Sequence, residues 1–364
     1  MANSNLTNAK NAKNDEFYTQ YHDIEKEINA YLEYNPDVFK GKTLLLPCDD
    51  PEWSNFTKYF AQNFERFGLK KLISTSYAPD SKNYKNGYQP TLFELKDPKY
   101  DEKKTSKNGK IFILKEDKTG DGIIDVNDLD WSYLEGDGDF KSKEIKKLRD
   151  EADIIITNPP FSLFREFVNW INQSNKQFLL IGSINAITYK EVFHLIKENK
   201  VWLGATGYSS DMVFAVPKDA DINEKDRQKA ARLGYIGDYT RLGNSCWFTN
   251  IDHGKRHQPL PLMTMADIIK FGTKKPLDKY DNYNAIEIPY IKFIPSDYND
   301  VMGVPISFLD KYNPDQFLIL GSDYDVKEGL LPELVNSNWN GKMDRGYVNG
   351  QRIYSRILIK HKRD

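Results

Sequence analysis

Residues 153–161 read Asp-Ile-Ile-Ile-Thr-Asn-Pro-Pro-Phe. The apolar run 153–157 is too short for a helix and predicts a central strand. A helix follows, with Phe164, Phe167, Val168 and Ile171 on one face. In open α/β sheets ligands bind where buried parallel strands end, at the carboxyl edge. What emerges there is Asn158, Pro159, Pro160 and Phe161. Prolines fix φ and remove backbone donors, so the turn is rigid and its carbonyls point outward. The Asn158 side-chain oxygen and the Pro159 carbonyl then form two adjacent acceptors, with Phe161 as a stacking face. Such a pair suits a planar amine. Taking both hydrogens of an NH₂ group draws its lone pair out of ring conjugation, so it can attack an electrophile without a strong base. Elsewhere Asn-Pro-Pro merely ends a strand; between a buried strand and an amphipathic helix the amine site is the better reading.

Outward from this point the chain alternates. Residues 1–14 read as a flexible arm, 17–34 as a helix stopped at Asn35-Pro36, 43–47 as a buried strand, 55–67 as a helix and 71–77 as a second strand. Further strands are expected at 110–115, 177–181, 201–203, 212–216 and 245–251, with a helix at 188–199. This rhythm predicts an α/β, doubly wound, mainly parallel sheet. Residues 78–135 form an insertion. The rhythm gives way after Ile251 to Pro- and Tyr-rich sequence, which divides the chain into domains 1–251 and 252–364.

The 364 residues carry a net charge of −2, with 39% hydrophobic and 29% charged residues. That composition supports a folded core and excludes wholesale disorder. Two cysteines, Cys48 and Cys246, exclude a disulfide scaffold and a four-cysteine zinc cluster. Both read as small buried hydrophobes. A polar N-terminus without a signal peptide, and no apolar run of spanning length, predict a cytoplasmic protein without membrane partners. The small net charge hides segregation. Residues 115–139 hold nine acids and two bases, residues 255–279 six bases and two acids, and residues 341–364 seven bases and two acids. The basic stretches suit either a phosphate-facing surface or an ordinary solvated face. His253 and His257, four apart in a turn-like segment, read as a polar loop rather than a zinc pair.

Within the acidic stretch, Asp117, Thr119, Asp121, Asp125 and Asp128 occupy positions 1, 3, 5, 9 and 12 of an EF-hand-like loop, with Gly122 at its bend. A structural calcium ion and a simple acidic hairpin both remain open from sequence.

Several ordered stretches narrow the class: DEFYTQY (15–21), PCDDPEWSNF (47–56), GDGDF (136–140), NPPFSLFREF (158–167), CWFTNIDHGKRH (246–257) and MGVPISFLDKYNPDQF (302–317). Together they resemble the EcoRI-type adenine-specific DNA methyltransferases along nearly the whole chain. The resemblance implies a seven-stranded S-adenosylmethionine-dependent catalytic sheet and a C-terminal target-recognition region. It implies a site-specific enzyme that methylates N6 of an adenine flipped out of double-stranded DNA. Asn158, Pro159, Pro160 and Phe161 would carry catalysis. Asp15, Glu16, Phe17, Tyr18 and Thr19 would lie near the methionine end of the cofactor. Pro47, Cys48, Asp49 and Asp50 would form its turn, and Asp139 and Phe140 would lie under its adenine ring. Trp247 or Phe248 would wall the base pocket, while Lys255, Arg256, Arg352, Arg356 and Lys360 would meet phosphates. Two departures stand out. PCDDPEW replaces the glycine-rich turn of many methyltransferases, and the second strand lacks an acid at its tip, Asp80 being the nearest. The setting implied is a restriction–modification system, its endonuclease sharing the recognition sequence without a stable complex, or an orphan or phage-borne enzyme. The alternatives are the same chemistry on RNA or a protein glutamine, and a non-catalytic calcium- or nucleic-acid-binding module.

Overall fold

The computed structural model describes residues 17–49, 54–78, 97–206, 212–216 and 222–362. Asp15, Glu16, Asp50 and Asp80 lie outside the described residues. The chain forms two compact units, residues 1–193 with 203–252, and residues 194–202 with 253–364.

In the first unit the apolar runs become strands: β1 (Tyr18–Thr19), β2 (Thr43–Leu46), β3 (Lys71–Thr75), β4 (Lys110–Leu114), β5 (Asp130–Tyr133), β6 (Ile154–Thr157), β7 (Gln177–Ser183), β8 (Trp202–Leu203, at the division between units), β9 (Val213–Ala215), β10 (Tyr239–Arg241) and β11 (Ser245–Thr249). Eight of them form one sheet, in the order β5-β4-β3-β2-β6-β7-β11-β8, where seven strands were expected. The central four, β3-β2-β6-β7, are parallel, whereas β4, β5 and β11 pair antiparallel. β2 and β6 are buried at every position. That is why they read as unbroken apolar runs, since a parallel strand covered on both faces needs no polar alternation. Phe56, Tyr59 and Phe60, on the helix Asn55–Gln62, pack into the same core as Leu44, Ile154 and Ile156. The Ser54 hydroxyl caps that helix by accepting from Phe56 N at 3.1 Å.

The first helix begins at Tyr21, not at Phe17. Tyr18 and Thr19 instead pair antiparallel with Ala215 and Phe214, and β10 adds on the far side, giving a three-stranded sheet β1-β9-β10. The partner lies about two hundred residues downstream, beyond the reach of any local periodicity.

The second unit contains β12 (Ile286–Glu287), β13 (Met302–Pro305), β14 (Phe317–Ser322), β15 (Tyr347–Val348), β16 (Gln351–Arg352) and β17 (Arg356–His361). Its sheet runs β12-β13-β17-β14, with β15 and β16 forming a separate hairpin. Asn349 and Gly350 both take positive φ, 51° and 75°, which matches the tight turn a two-residue hairpin loop requires.

Asp323 is 1% exposed, accepting from Arg356 N at 2.7 Å and the Tyr283 hydroxyl at 3.4 Å. Burial raises its carboxyl from 3.8 to about 6. The folded unit therefore holds this proton more tightly than the unfolded chain. Its contribution to stability is full below pH 3.8 and is lost as pH rises through about 6. A rise of this size corresponds to roughly 3 kcal/mol at most. Thermal unfolding at pH 4, 5, 6 and 7 is expected to show a loss in the wild type over this window that Asp323→Asn lacks. Parallel profiles for the two proteins would reject the assignment.

Candidate active site

The strand end at β6 is tied to its neighbour, the Thr157 hydroxyl donating to the Pro47 carbonyl at the end of β2. Asn158 follows. Its Nδ2 donates to the Phe17 carbonyl at 2.6 Å, while its Oδ1 is buried and has no partner among the described residues. The first bond fixes the orientation of the amide, so the oxygen remains as an oriented acceptor. An unmet buried acceptor costs about 1–3 kcal/mol, a cost that an incoming donor removes. Pro159 is buried beside it and Phe161 is half-buried. The Phe161 ring lies 5.6 Å from Phe17, and both meet Phe214, at 6.4 and 5.9 Å. Phe17 is carried by β1, which is held by β9 and by Asn55 Nδ2 donating to the Thr19 carbonyl at 2.7 Å.

The next feature along the carboxyl edge is the turn after β2. Cys48 takes φ 69°, the left-handed conformation glycine usually supplies. Asp49 is 5% exposed; its carboxylate accepts from the Ser54 hydroxyl at 2.7 Å, and its main-chain carbonyl accepts from the Thr57 and Ser74 hydroxyls. The acid thus braces the turn internally. Past β3, Gly138 takes φ +89°, and a Cβ there would lie 2.4 Å from the Ser76 carbonyl oxygen. Only glycine lets the 136–140 turn press this closely on the end of β3, where Ala78 N also donates to the Asp137 carbonyl at 2.8 Å. Tyr77 joins these parts. Burial, together with the nearby Asp139, Cys48 and Asp137, pushes its hydroxyl well above the usual phenol range, and that hydroxyl donates to Asp139. Asp139 also accepts from Lys141 N at 2.8 Å. The Thr75 hydroxyl at the end of β3 and the Thr19 hydroxyl at the end of β1 are buried without partners among the described residues. Close-lying main chain, an acceptor carboxylate and unmet hydroxyls fit a polar small molecule lying along this edge.

Other expected residues are placed differently. Phe140 is 2% exposed and packs against Phe167 and Trp170 at 5.0 and 5.6 Å, so its ring belongs to the core beneath the turn. Trp247 and Phe248 are 1% and 0% exposed on β11, packed against Phe56 and Phe164 at 5.9 and 4.9 Å. Neither offers a wall to a pocket. The third ring of the Phe17–Phe161 cluster is Phe214, which nothing in the short run 212–216 distinguishes from an ordinary core residue.

Of the five expected phosphate ligands, four are engaged internally, three of them in buried or half-buried contacts. Arg256 is 7% exposed, lies 3.6 Å over the Trp202 ring and donates to Asn199. Lys255 pairs with Asp310 at 2.7 Å, and Arg356 with Glu287 at 2.5 Å. Arg352 is exposed and pairs with Asp344 at 2.9 Å, while Lys360 is half-buried. Counting bases along a chain cannot reveal which acid faces them across a sheet.

Of the two readings left open for the acidic loop, calcium site or hairpin, the structure gives the calcium ion no support. Asp117 accepts from Gly120 N and Gly122 N at 2.6 and 2.8 Å. Asp128 accepts from Lys118, Thr119 and Asp125 N at 2.8, 2.9 and 2.9 Å, which lowers its carboxyl to about 2. Asp121 and Asp125 accept from Ile123 N and Asn127 N. The acids hold the β4–β5 connection through its own amides. Among the described residues no group of three or more His, Cys, Asp or Glu side chains is placed to hold a metal ion.

A fixed amide acceptor followed by a proline carbonyl at the carboxyl edge of a parallel sheet are groups that can accept hydrogen bonds from an amine. Comparison with known proteins gives the family. The model of the family described as adenine-specific methyltransferase EcoRI matches residues 5–362. The chain is 40% identical to the type II methyltransferase M.EcoRI of Escherichia coli over 99% of its own length and 97% of the relative's. It is 33% identical to the type II methyltransferase M.MpnI of Mycoplasma pneumoniae, over 98% of both chains. A Mycoplasma genitalium type II methyltransferase, M.MgeORF184P, is also 33% identical, over 97% of both chains. No solved structure matches. The chain belongs to the EcoRI-type adenine-specific methyltransferase family, and so to the S-adenosylmethionine-dependent enzymes. No helix among the described residues is long and apolar enough to cross a membrane.

Proposed function

We propose that this enzyme methylates the exocyclic N6 amine of an adenine flipped out of double-stranded DNA, as the modification enzyme of a restriction–modification system. Its endonuclease would share the recognition sequence without a stable complex. The observation that carries this reading is the buried Oδ1 of Asn158, which has no partner among the described residues and belongs to an amide oriented by the Phe17 carbonyl. Asn158 Oδ1 and the Pro159 carbonyl take the two amine hydrogens and localise the nitrogen lone pair. Phe161 offers its face to the base, and flipping costs a few kcal/mol that stacking partly returns. S-adenosylmethionine, when bound, would supply a methyl group on a positively charged sulfur; as the N–C bond forms the S–C bond would break to leave a neutral thioether, and the surplus amine proton would pass to solvent. Phe17, Tyr18 and Thr19, preceded by Asp15 and Glu16, would hold the cofactor together with Pro47, Cys48, Asp49, Asp50 and Asp139. The C-terminal unit would supply target recognition, with Arg352 and Lys360 nearest to available phosphate ligands.

Methyl transfer from labelled S-adenosylmethionine to unmethylated genomic DNA tests this. The expected product is 6-methyladenine at one mapped sequence. Label in RNA or in a protein glutamine, with none in DNA, would replace the substrate; no label and no cofactor binding would overturn the reading.

A further inference from the structure

The basic stretch 255–279 divides in two. Lys255 and Arg256 are engaged by internal partners, whereas Lys270 and Lys274 are exposed. These two belong to a π-helical turn, Ile268–Thr273, and to the residue that caps it. Such turns are rare and gather at functional sites. The turn presses on Phe293, since a Cβ on Gly272 would lie 2.5 Å from that ring. Tyr290 meets the same ring at 5.8 Å. Phe271, beside Gly272, is 65% exposed and Tyr290 is 62% exposed. Lys270 Nζ lies 4.9 Å from the centre of the Phe271 ring, and Lys292 Nζ lies 5.1 and 5.9 Å from those of Phe293 and Tyr290. Lys274 Nζ donates to the Lys270 carbonyl at 2.7 Å, which draws its charge back onto the turn. Two exposed rings and three ammonium groups thus gather around one buried ring.

The neighbouring acids are engaged elsewhere. Asp278 pairs with Lys275 at 3.0 Å, Asp297 accepts from Met265 N at 2.8 Å, and Asp267 accepts from the Thr264 hydroxyl at 2.7 Å. Lys270, Lys274 and Lys292 make no ion pair among the described residues. Cations held side by side without acids repel one another, and a row of phosphates relieves that repulsion.

We propose that this patch is a sequence-independent DNA contact, in which the ammonium groups of Lys270, Lys274 and Lys292 meet phosphates while Phe271 and Tyr290 pack against the deoxyriboses between them. This rests on the DNA reading above. Phosphate contacts fix the register and orientation of a protein on the duplex and carry no sequence information. The patch therefore holds the duplex while other residues read it.

The experiment uses the full chain and two duplexes, one with its mapped site and one without, and follows affinity by fluorescence anisotropy as salt rises about fourfold. The triple variant Lys270→Gln, Lys274→Gln, Lys292→Gln is expected to flatten the slope of log affinity against log salt by about 2.7, at about 0.9 for each phosphate. Over that salt range the wild type then loses about 40-fold more affinity than the variant. The effect should be the same on both duplexes, leaving the ratio of their affinities unchanged. Phe271→Ala is expected to weaken both complexes about three- to tenfold, the order that covering part of one exposed ring gives, without changing the slope. All four side chains are exposed, so thermal midpoints near the wild type's show that the variants are folded. An unchanged slope in the folded triple variant, or a loss confined to the duplex with the site, would overturn the proposal. So would an unchanged slope accompanied by altered self-association in sedimentation, which would give the face to a second copy of the chain. A wild type that binds neither duplex would instead strike the DNA reading itself.

Discussion

Replacing Asn158 by alanine is expected to lower kcat by about 10²–10³-fold, far more than it weakens cofactor affinity or lowers the thermal midpoint. The magnitude is that of removing one preorganised hydrogen-bond partner from a site where charge develops in the transition state. The amide is oriented before substrate arrives, because Nδ2 is occupied by the Phe17 carbonyl, and the buried Oδ1 has no partner among the described residues. Alanine removes the acceptor and also releases the Phe17 carbonyl, so β1 keeps only its ladder to β9 and the Asn55 bond. Asn158→Asp is the sharper probe. It retains an acceptor toward the amine but turns a second oxygen against the Phe17 carbonyl, losing the orienting bond. Its kcat should fall below the wild type, with the deficit shrinking as pH drops and the carboxyl regains a proton to donate. Single-turnover rates and calorimetric cofactor titration measure both claims. An alanine variant within threefold of wild type would remove Asn158 from the chemistry.

The central sheet was legible because its strands are buried on both faces. Leu44–Leu46 and Ile154–Ile156 carry no polar interruption, and the prolines after Asn158 mark where the chain leaves the sheet. The candidate turn at 158–161 could be singled out for a different reason: its residues are contiguous. What stayed hidden is built from distant segments. Phe17 and Phe214 meet only because β1 pairs with β9, and residues 17–19 carry a helix-compatible pattern that this pairing overrides. Buried aromatics such as Trp247 and Phe140 look alike in sequence whether they line a pocket or fill a core. The glycine-rich cofactor turn was sought by residue type, yet Cys48 adopts the left-handed conformation, braced by the Asp49 contacts to Ser54, Thr57 and Ser74.

The same distinction between a charge in the sequence and a charge on the surface governs Arg356. Its guanidinium bonds Glu287 through Nε and Nη2, with the two side chains 11% and 10% exposed. The Tyr280 hydroxyl also donates to Glu287, reaching it because residue 303 is glycine: a Cβ there would lie 2.1 Å from that hydroxyl. Arg356→Ala would strand a buried carboxylate and is expected to destabilise the second unit by about 3–5 kcal/mol. Pairing Arg356→Met with Glu287→Leu should recover most of that loss, since both charges leave together and apolar volume replaces them. Chemical unfolding of the two variants measures the difference. DNA binding then separates structure from recognition. A phosphate ligand contributes about one unit to the slope of log affinity against log salt. The double variant should keep the wild-type slope, whereas Arg352→Ala or Lys360→Ala is expected to flatten it. A slope reduced by one in the folded double variant would return Arg356 to the DNA interface. An unchanged slope makes the Arg356–Glu287 pair a brace between β12 and β17, and places recognition on the residues that this brace positions.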